Sequence, residues 1–317
     1  MRRTFHLEVA KSPTHANLAR LLKEQGWESS SASTPTLVND SWLQFSPVIS
    51  ETLEYKHLLA AFLQDNQLDH LMPETFFIDD QNWPSILAAI EASQPDSIPW
   101  ILKPSMLNNG QHIHIFPDLN AIEAHFLSSQ RMGGPQVLQR YIAKPQLIQG
   151  PLAGHKFSIR QLVVLSTHAG SALFPNGYLN IALKPYQDND FDQLSAHLTN
   201  EHLDDERINV VQRLSHEIAI YQPYKADIIS ICKLLVTTLK KQFAKLWQDS
   251  QPRIACFGFD FMVEAVNERL WLLEVNHGPC FPVDELHPLF NTLYKPFWQQ
   301  VIKQFIDRQP SDFIMLT

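Results

Sequence analysis

Apolar and polar positions alternate most regularly over CFGFDFMVEAVNERLWLLEVNHG, residues 256–278. Two apolar runs of strand-like period flank a polar turn around Asn267, which predicts a β-hairpin. On the first strand Gly258, Asp260 and Met262 fall on one face and Phe257, Phe259 and Phe261 on the other. On the second, the same period groups Leu272, Glu274 and Asn276 against Trp271, Leu273 and Val275. With the turn centred on Asn267, Asp260 lies opposite Glu274. Carboxylates about 5 Å apart across a ladder repel each other unless something neutralises them. With Asn276 they make an all-oxygen set of the kind Mg²⁺ takes alongside phosphate oxygens. The reading depends on register, because a slip of one residue separates the pair.

Elsewhere the pattern predicts a strand over 4–9, a helix over 14–25 closed by Gly26, and a Ser-rich loop at 29–35 as a lobe seam. Residues 36–45 read as a strand interrupted at Asn39-Asp40, 51–66 as one amphipathic helix, and 72–78 as a strand. A helix over 83–93 stops at Pro95. Residues 99–116 read as strand, polar turn at Asn108-Asn109-Gly110, and strand, with Lys103 ending the first. A lysine there can hold phosphates with turn N–H groups, or it is an ordinary surface turn. After a short strand at 137–142, residues 154–167 form a long strand with Lys156, Ser158 and Arg160 on one face. Cations on an otherwise buried strand need an anion nearby; a solvated sheet edge is the alternative. Residues 174–184 read as a hairpin turn at Asn176-Gly177 leading into a strand that aligns Asn180, Ala182 and Lys184. Long helices follow over 225–247 and 288–307. Lys233, Lys240, Lys241 and Lys245 give the first of them a basic face, which is an ordinary pattern for a solvated helix.

Composition narrows the classes. The chain has 317 residues, 44% of them hydrophobic and 18% charged, which fits a well-buried globular protein of about two domains. A net charge of −8 argues against a nucleic-acid binder. The three cysteines, Cys232, Cys256 and Cys280, have no metal-like spacing and suggest a reducing compartment. The N-terminal stretch lacks a signal-peptide core, and no apolar run is long enough to span a bilayer. The expectation is a cytoplasmic protein with no membrane partner.

WILKP, VLQRYIAKPQLI, GHKFSIR, AHLTN, FGFDFMV and WLLEVNHGP, in this order, resemble the tubulin–tyrosine ligase-like family of ATP-grasp ligases. A weaker match through YKHLLAAFL and MPETFFI extends the likeness to roughly residues 50–305. The resemblance implies an α+β, ATP-grasp fold that holds a nucleotide between two lobes, with a small N-terminal α/β domain. The implied divisions are 1–97, 98–150 for the central lobe and 151–317 for the C-terminal lobe with the metal site. It implies an ATP- and Mg²⁺-dependent ligase joining a free amino acid to a protein or peptide acceptor, tubulin among the candidates, through an acyl-phosphate.

On this resemblance Asp260, Glu274 and Asn276 correspond to the Mg²⁺ ligands, and Lys103 and Lys156 to the lysines on the ATP phosphates. Gln139, Arg140, Tyr141 and Ile142 correspond to the segment meeting adenine. Arg160 would face the γ-phosphate or acyl-phosphate, with Ser158, Thr199 and Asn200 near the phosphates. The sequence also departs from the family pattern. Gly110 is followed by Gln111 and His112 where a second glycine is usual, Ser158 stands for an acid, and Asn180 stands for the strand arginine that meets the amino-acid substrate. Lys184, four residues on, is a candidate to replace that charge. A kinase on the same fold and a nucleotide-binding protein without catalysis are the competing readings.

Overall fold

The computed structural model describes residues 3–31, 36–93, 98–107, 110–188, 190–203, 208–248, 251–279 and 281–317. Asn108, Asn109, Pro95, Cys280 and most of the Ser-rich loop therefore lie outside the described residues. The chain is a mixed α/β fold built on three sheets.

The first sheet is small and parallel. Strand β1 (Thr4–His6) pairs with β2 (Glu28–Ser29) on one side and β3 (Val38–Asn39) on the other, and α1 (Pro13–Glu24) covers it. The strand expected over 36–45 ends at Asn39, whose side chain caps a 3₁₀ turn by accepting the Ser41 N–H. An Asn that bonds the backbone two residues on favours a turn over a ladder.

The helix expected over 51–66 is two helices, α2 (Pro47–Glu54) and α3 (Lys56–Asp65), separated by Tyr55 in an extended conformation. Apolar periodicity continues through the break, so the sequence reads as one helix. The break makes Lys56 the first residue of α3.

The second sheet has strand order β4-β7-β5-β6, all antiparallel: β4 (Thr75–Ile78), β5 (Trp100–Pro104), β6 (His114–Phe116) and β7 (Gln136–Arg140). Helices α4 (Trp83–Ser93) and α5 (Leu119–Leu127) pack on one face around Trp100, Leu102 and Leu138. β4 and α4 thus join this sheet rather than the N-terminal one.

The third sheet runs β11-β10-β8-β12-β13, from β8 (His155–Ser166), β9 (Ala172–Leu173), β10 (Tyr178–Pro185), β11 (Val210–Leu214), β12 (Ile254–Glu264), β13 (Arg269–His277) and β14 (Ile314–Met315). Residues around Asn176-Gly177 do not make a hairpin. β9 and β10 both pair antiparallel with β8, one after the other along the same edge, and the intervening residues form a jog. Gly177 is required there, because a Cβ would collide with the Arg160 carbonyl oxygen.

A short helix α6 (Leu194–His197) leads into the Thr199 loop. α7 (Lys225–Gln242) and α8 (Ala244–Trp247) follow, separated by Phe243. α7 buries Ile228, Cys232, Leu235, Val236 and Leu239 against the Phe257, Phe259 and Phe261 face of β12. The opposite face of the sheet packs on α9 (Lys295–Val301) and on α1, in a core shared by Leu18, Leu22, Phe297 and Trp298. Among the described residues no helix is long and apolar enough to cross a membrane.

Candidate active site

The β12–β13 hairpin sets the geometry. Asp260 pairs with Glu274 and Gly258 with Asn276, and a β-bulge separates them from the turn-side pairs, where Phe261 faces Leu272. The extra residue is Leu273. It reverses the parity of β13, so Leu272 joins the aromatic core with Val275, whereas Leu273, Glu274 and Asn276 all line a cavity. Leu272 therefore does not share a face with Glu274 as strict alternation predicts.

The cavity, about 480 Å³, is lined from both larger sheets. β5 and β7 contribute Lys103, Gln139 and Arg140; β8, β10, β12 and β13 contribute Lys156, Ser158, Arg160, Asn180, Asp260, Glu274 and Asn276. Gly110, Gln111, Tyr141, Ile142, Thr199 and Asn200 complete the sequence-predicted residues on its wall. Lys184 does not reach it: the side chain is exposed beyond the irregularity in β10 that follows Ile181.

Acids and amide converge. Asn276 Nδ2 donates to Asp260 Oδ2 at 2.9 Å and to Glu274 Oε1 at 3.2 Å. Arg160 grips Asp260 through Nε and Nη2, at 2.7 and 2.5 Å. Gly258 leaves room for this, since a Cβ there would stand 3.0 Å from Arg160 Cδ. Burial pushes the Asp260 carboxyl up despite Arg160. Burial acts the same way on Glu274, but the charges of Lys56 and Lys103 and the Asn276 bond outweigh it and hold that carboxyl at about 2. Two carboxylates and an amide are donors suited to a hard cation that keeps other oxygen ligands. Among the described residues no group of three or more His, Cys, Asp or Glu side chains is arranged to hold a metal.

Both strand lysines are buried and hydrogen-bonded to neutral groups. Lys103 Nζ donates to Gln139 Oε1 at 2.8 Å, and Gln139 donates in turn to Thr75. Lys156 Nζ donates to Tyr141 Oη at 2.8 Å and stands 4.3 Å from that ring's centre. Burial lowers Lys103 to about 8, and burial with the Lys103 charge lowers Lys156 to about 7. Neither amine is bonded to a carboxylate, although the charges of Glu274 and Asp260 act on Lys103, so both are poised to accept an anion. Thr199 donates to Ser158 at 2.9 Å, tying the loop after α6 to β8.

Lys56 has no counterpart in the sequence reading. Its Nζ lies 3.6 Å from Glu274 Oε2 and donates to the Leu107 carbonyl. A lysine opening a helix far along the chain carries no periodic mark; only the kink at Tyr55 brings it to the acids. Glu201, His287 and Tyr294, also on the wall, were equally unmarked.

Fold and cavity define a mixed α/β protein that gathers cations from two sheets beside a carboxylate pair. Residues 44–313 match the model of the Tubulin-tyrosine ligase family, and the chain belongs to that family. It is similar to tubulin polyglutamylase TTLL6 of Mus musculus, at 26% identity over 58% of this chain, and to tubulin polyglutamylase TTLL13 of Homo sapiens, at 26% over 72%. The matched regions span 24% and 30% of those relatives' lengths.

Proposed function

We propose that the chain is an ATP- and Mg²⁺-dependent carboxylate–amine ligase of ATP-grasp type, adding a free amino acid to a protein or peptide acceptor. One observation carries this reading: Lys103 from one sheet and Lys156 and Arg160 from another face the same cavity as Asp260, Glu274 and Asn276. Family membership supports ligation, and the relatives' names make tubulin a candidate acceptor.

The residues fit a bound magnesium ion through their chemistry. Glu274 is held ionised, and Asn276 draws both acids to one point. Bound there, Mg²⁺ would neutralise charge on phosphate oxygens. Lys103 and Lys156 hold the phosphates and regain full charge as the anion arrives. The Gln139–Ile142 segment would meet the base, while Gly110, Gln111, Thr199 and Asn200 would lie beside the phosphates. An acceptor carboxylate oxygen would attack the γ-phosphorus with departure of ADP; the neutral amine would then attack the acyl carbon, the C–O bond to phosphate breaking and the nitrogen's proton passing to the departing phosphate or to water. Arg160 stabilises charge at the transferred group. Such chemistry needs positioning and charge neutralisation rather than a protein nucleophile.

Mass spectrometry of tubulin and acidic peptides incubated with protein, ATP, Mg²⁺ and mixed amino acids tests this. A one-residue mass gain with matching ADP release is expected. Label from γ-labelled ATP retained on the acceptor would indicate a kinase instead. Nucleotide binding without turnover on any acceptor would indicate a binding protein. Wild-type turnover by Asp260→Ala/Glu274→Ala would remove the metal assignment.

A further inference from the structure

His197 ends α6 on the cavity wall and closes a hydrogen-bonded chain that begins at Lys156. Lys156 Nζ lies 2.8 Å from Tyr141 Oη, that oxygen 2.8 Å from His197 Nδ1, and His197 Nε2 2.8 Å from the Asp190 carbonyl oxygen. Lys156, Tyr141 and His197 are 2%, 4% and 1% exposed, so water does not stand in for a lost partner.

The direction of each bond follows from the end of the chain. The Asp190 carbonyl can only accept, so the hydrogen of the imidazole sits on Nε2. Nδ1 of the neutral ring is then an acceptor and takes the Tyr141 hydroxyl hydrogen. Burial lowers His197 and raises Tyr141, which keeps ring and phenol neutral near pH 7. With its hydrogen committed, Tyr141 Oη offers only lone pairs to Lys156, and the amine must donate. If Nδ1 were removed, the hydroxyl hydrogen could turn towards the lysine, and a buried ammonium would lose its oriented acceptor.

Packing holds the ring in this orientation. Phe191 stands edge-on to Tyr141 at 5.7 Å and 5.5 Å from His197. Tyr186 stands edge-on to His197 at 5.1 Å, and its hydroxyl donates to the Ala143 carbonyl at 2.7 Å. The segment after β10 is thereby fastened to the residues that follow β7, with His197 between them.

We infer that His197 is a positioning residue for Lys156: it fixes the Tyr141 hydroxyl so that the lysine is held, as a donor, for the phosphates of the nucleotide. This rests on the nucleotide role given to Lys156 in the ligase reading and adds the group that acts behind it.

Two substitutions divide the work of the ring. In His197→Asn the amide oxygen falls near the place of Nδ1 and can accept from Tyr141. In His197→Gln the amide nitrogen falls near the place of Nε2 and can donate to Asp190, while Tyr141 loses its acceptor. The full chain and each variant are titrated calorimetrically with Mg²⁺ and a non-hydrolysable ATP analogue, and separately with adenosine, beside thermal melts. His197→Gln should bind the analogue about tenfold more weakly with adenosine affinity little changed, and His197→Asn should stay close to wild type. Tyr141→Phe should lose as much as His197→Gln, and the two together no more than either alone. Wild-type affinity in His197→Gln, or a larger loss in His197→Asn than in His197→Gln, would overturn the inference and leave His197 as an anchor for Asp190. An equal loss for adenosine would also overturn it, because the base would then be disturbed rather than the phosphates. If His197→Gln does not fold, Tyr141→Phe carries the same test, and undiminished analogue binding by it refutes the role. Failure of wild type to bind the analogue would instead sink the nucleotide reading, a separate result from the same titration.

Discussion

Replacing Asp260 with alanine strips both bonded oxygens from Arg160 and leaves a guanidinium in a buried wall. Breaking such a pair from one side costs about 3–5 kcal/mol, and denaturant titration of Asp260→Ala should show a loss of that order. Adding Arg160→Leu should recover part of it, because the stranded charge is then gone. The lysines give a second expectation. Lys103 and Lys156 titrate at about 8 and about 7 in the fold, below the ordinary 10.5. Between about pH 7 and 10 the unfolded chain therefore holds more protons than the folded one, and stability from these groups rises with pH across that window. A bound polyanion restores their protons, so its binding takes up protons and weakens as pH rises from 7 to 9. Calorimetry in buffers of different ionisation enthalpy measures the uptake; none at pH 8 would mean these lysines do not hold the anion.

At the scale of elements, two glycines separate folding from function. A methyl at Gly177 meets backbone, the Arg160 carbonyl, and backbone cannot move without breaking the β8–β10 ladder. Gly177→Ala should lower the melting temperature sharply. A methyl at Gly258 meets side chains alone, the flexible Arg160 at 3.0 Å and Pro279 Cβ at 3.4 Å, and the arginine can shift. Gly258→Ala should melt close to wild type yet lose most turnover, and thermal melts beside an ADP-release assay separate the two. The hairpin was legible in the sequence because alternation of aromatic and polar residues fixes strand faces, and the pairing of Asp260 with Glu274 stands in the structure. The bulge at Leu273 was not legible. One extra residue inside WLLEV leaves the apolar string unchanged, and only cross-strand pairing reveals it.

At the scale of the molecule, the N-terminal unit and the C-terminal helices share one core. Leu18 and Leu22 of α1 pack with Phe290, Leu293, Phe297 and Trp298, so residues before 44 are structural partners of the family-matched region. Deleting residues 1–43 should expose these aromatics. The truncated chain should aggregate or become susceptible to limited proteolysis, and equal resistance to wild type would show the N-terminal unit to be dispensable for folding. With a net charge of −8, the whole molecule offers no general attraction for an acidic acceptor.

By itself the sequence determined the faces of β8 and β12, the meeting of Lys103 and Lys156 with Asp260, Glu274 and Asn276, and the family, because period and residue type are local properties read directly from the chain. Tertiary structure decided what depends on distant segments meeting. The kink at Tyr55 delivers Lys56 to Glu274, the jog at Gly177 sets the edge of β8, and the irregularity in β10 turns Lys184 to solvent. It also assembled the wall of Glu201, Phe281, His287 and Tyr294 from loops and a helix far apart in sequence. No pattern marks those residues beforehand, since their proximity comes only from how the third sheet and its covering helices pack.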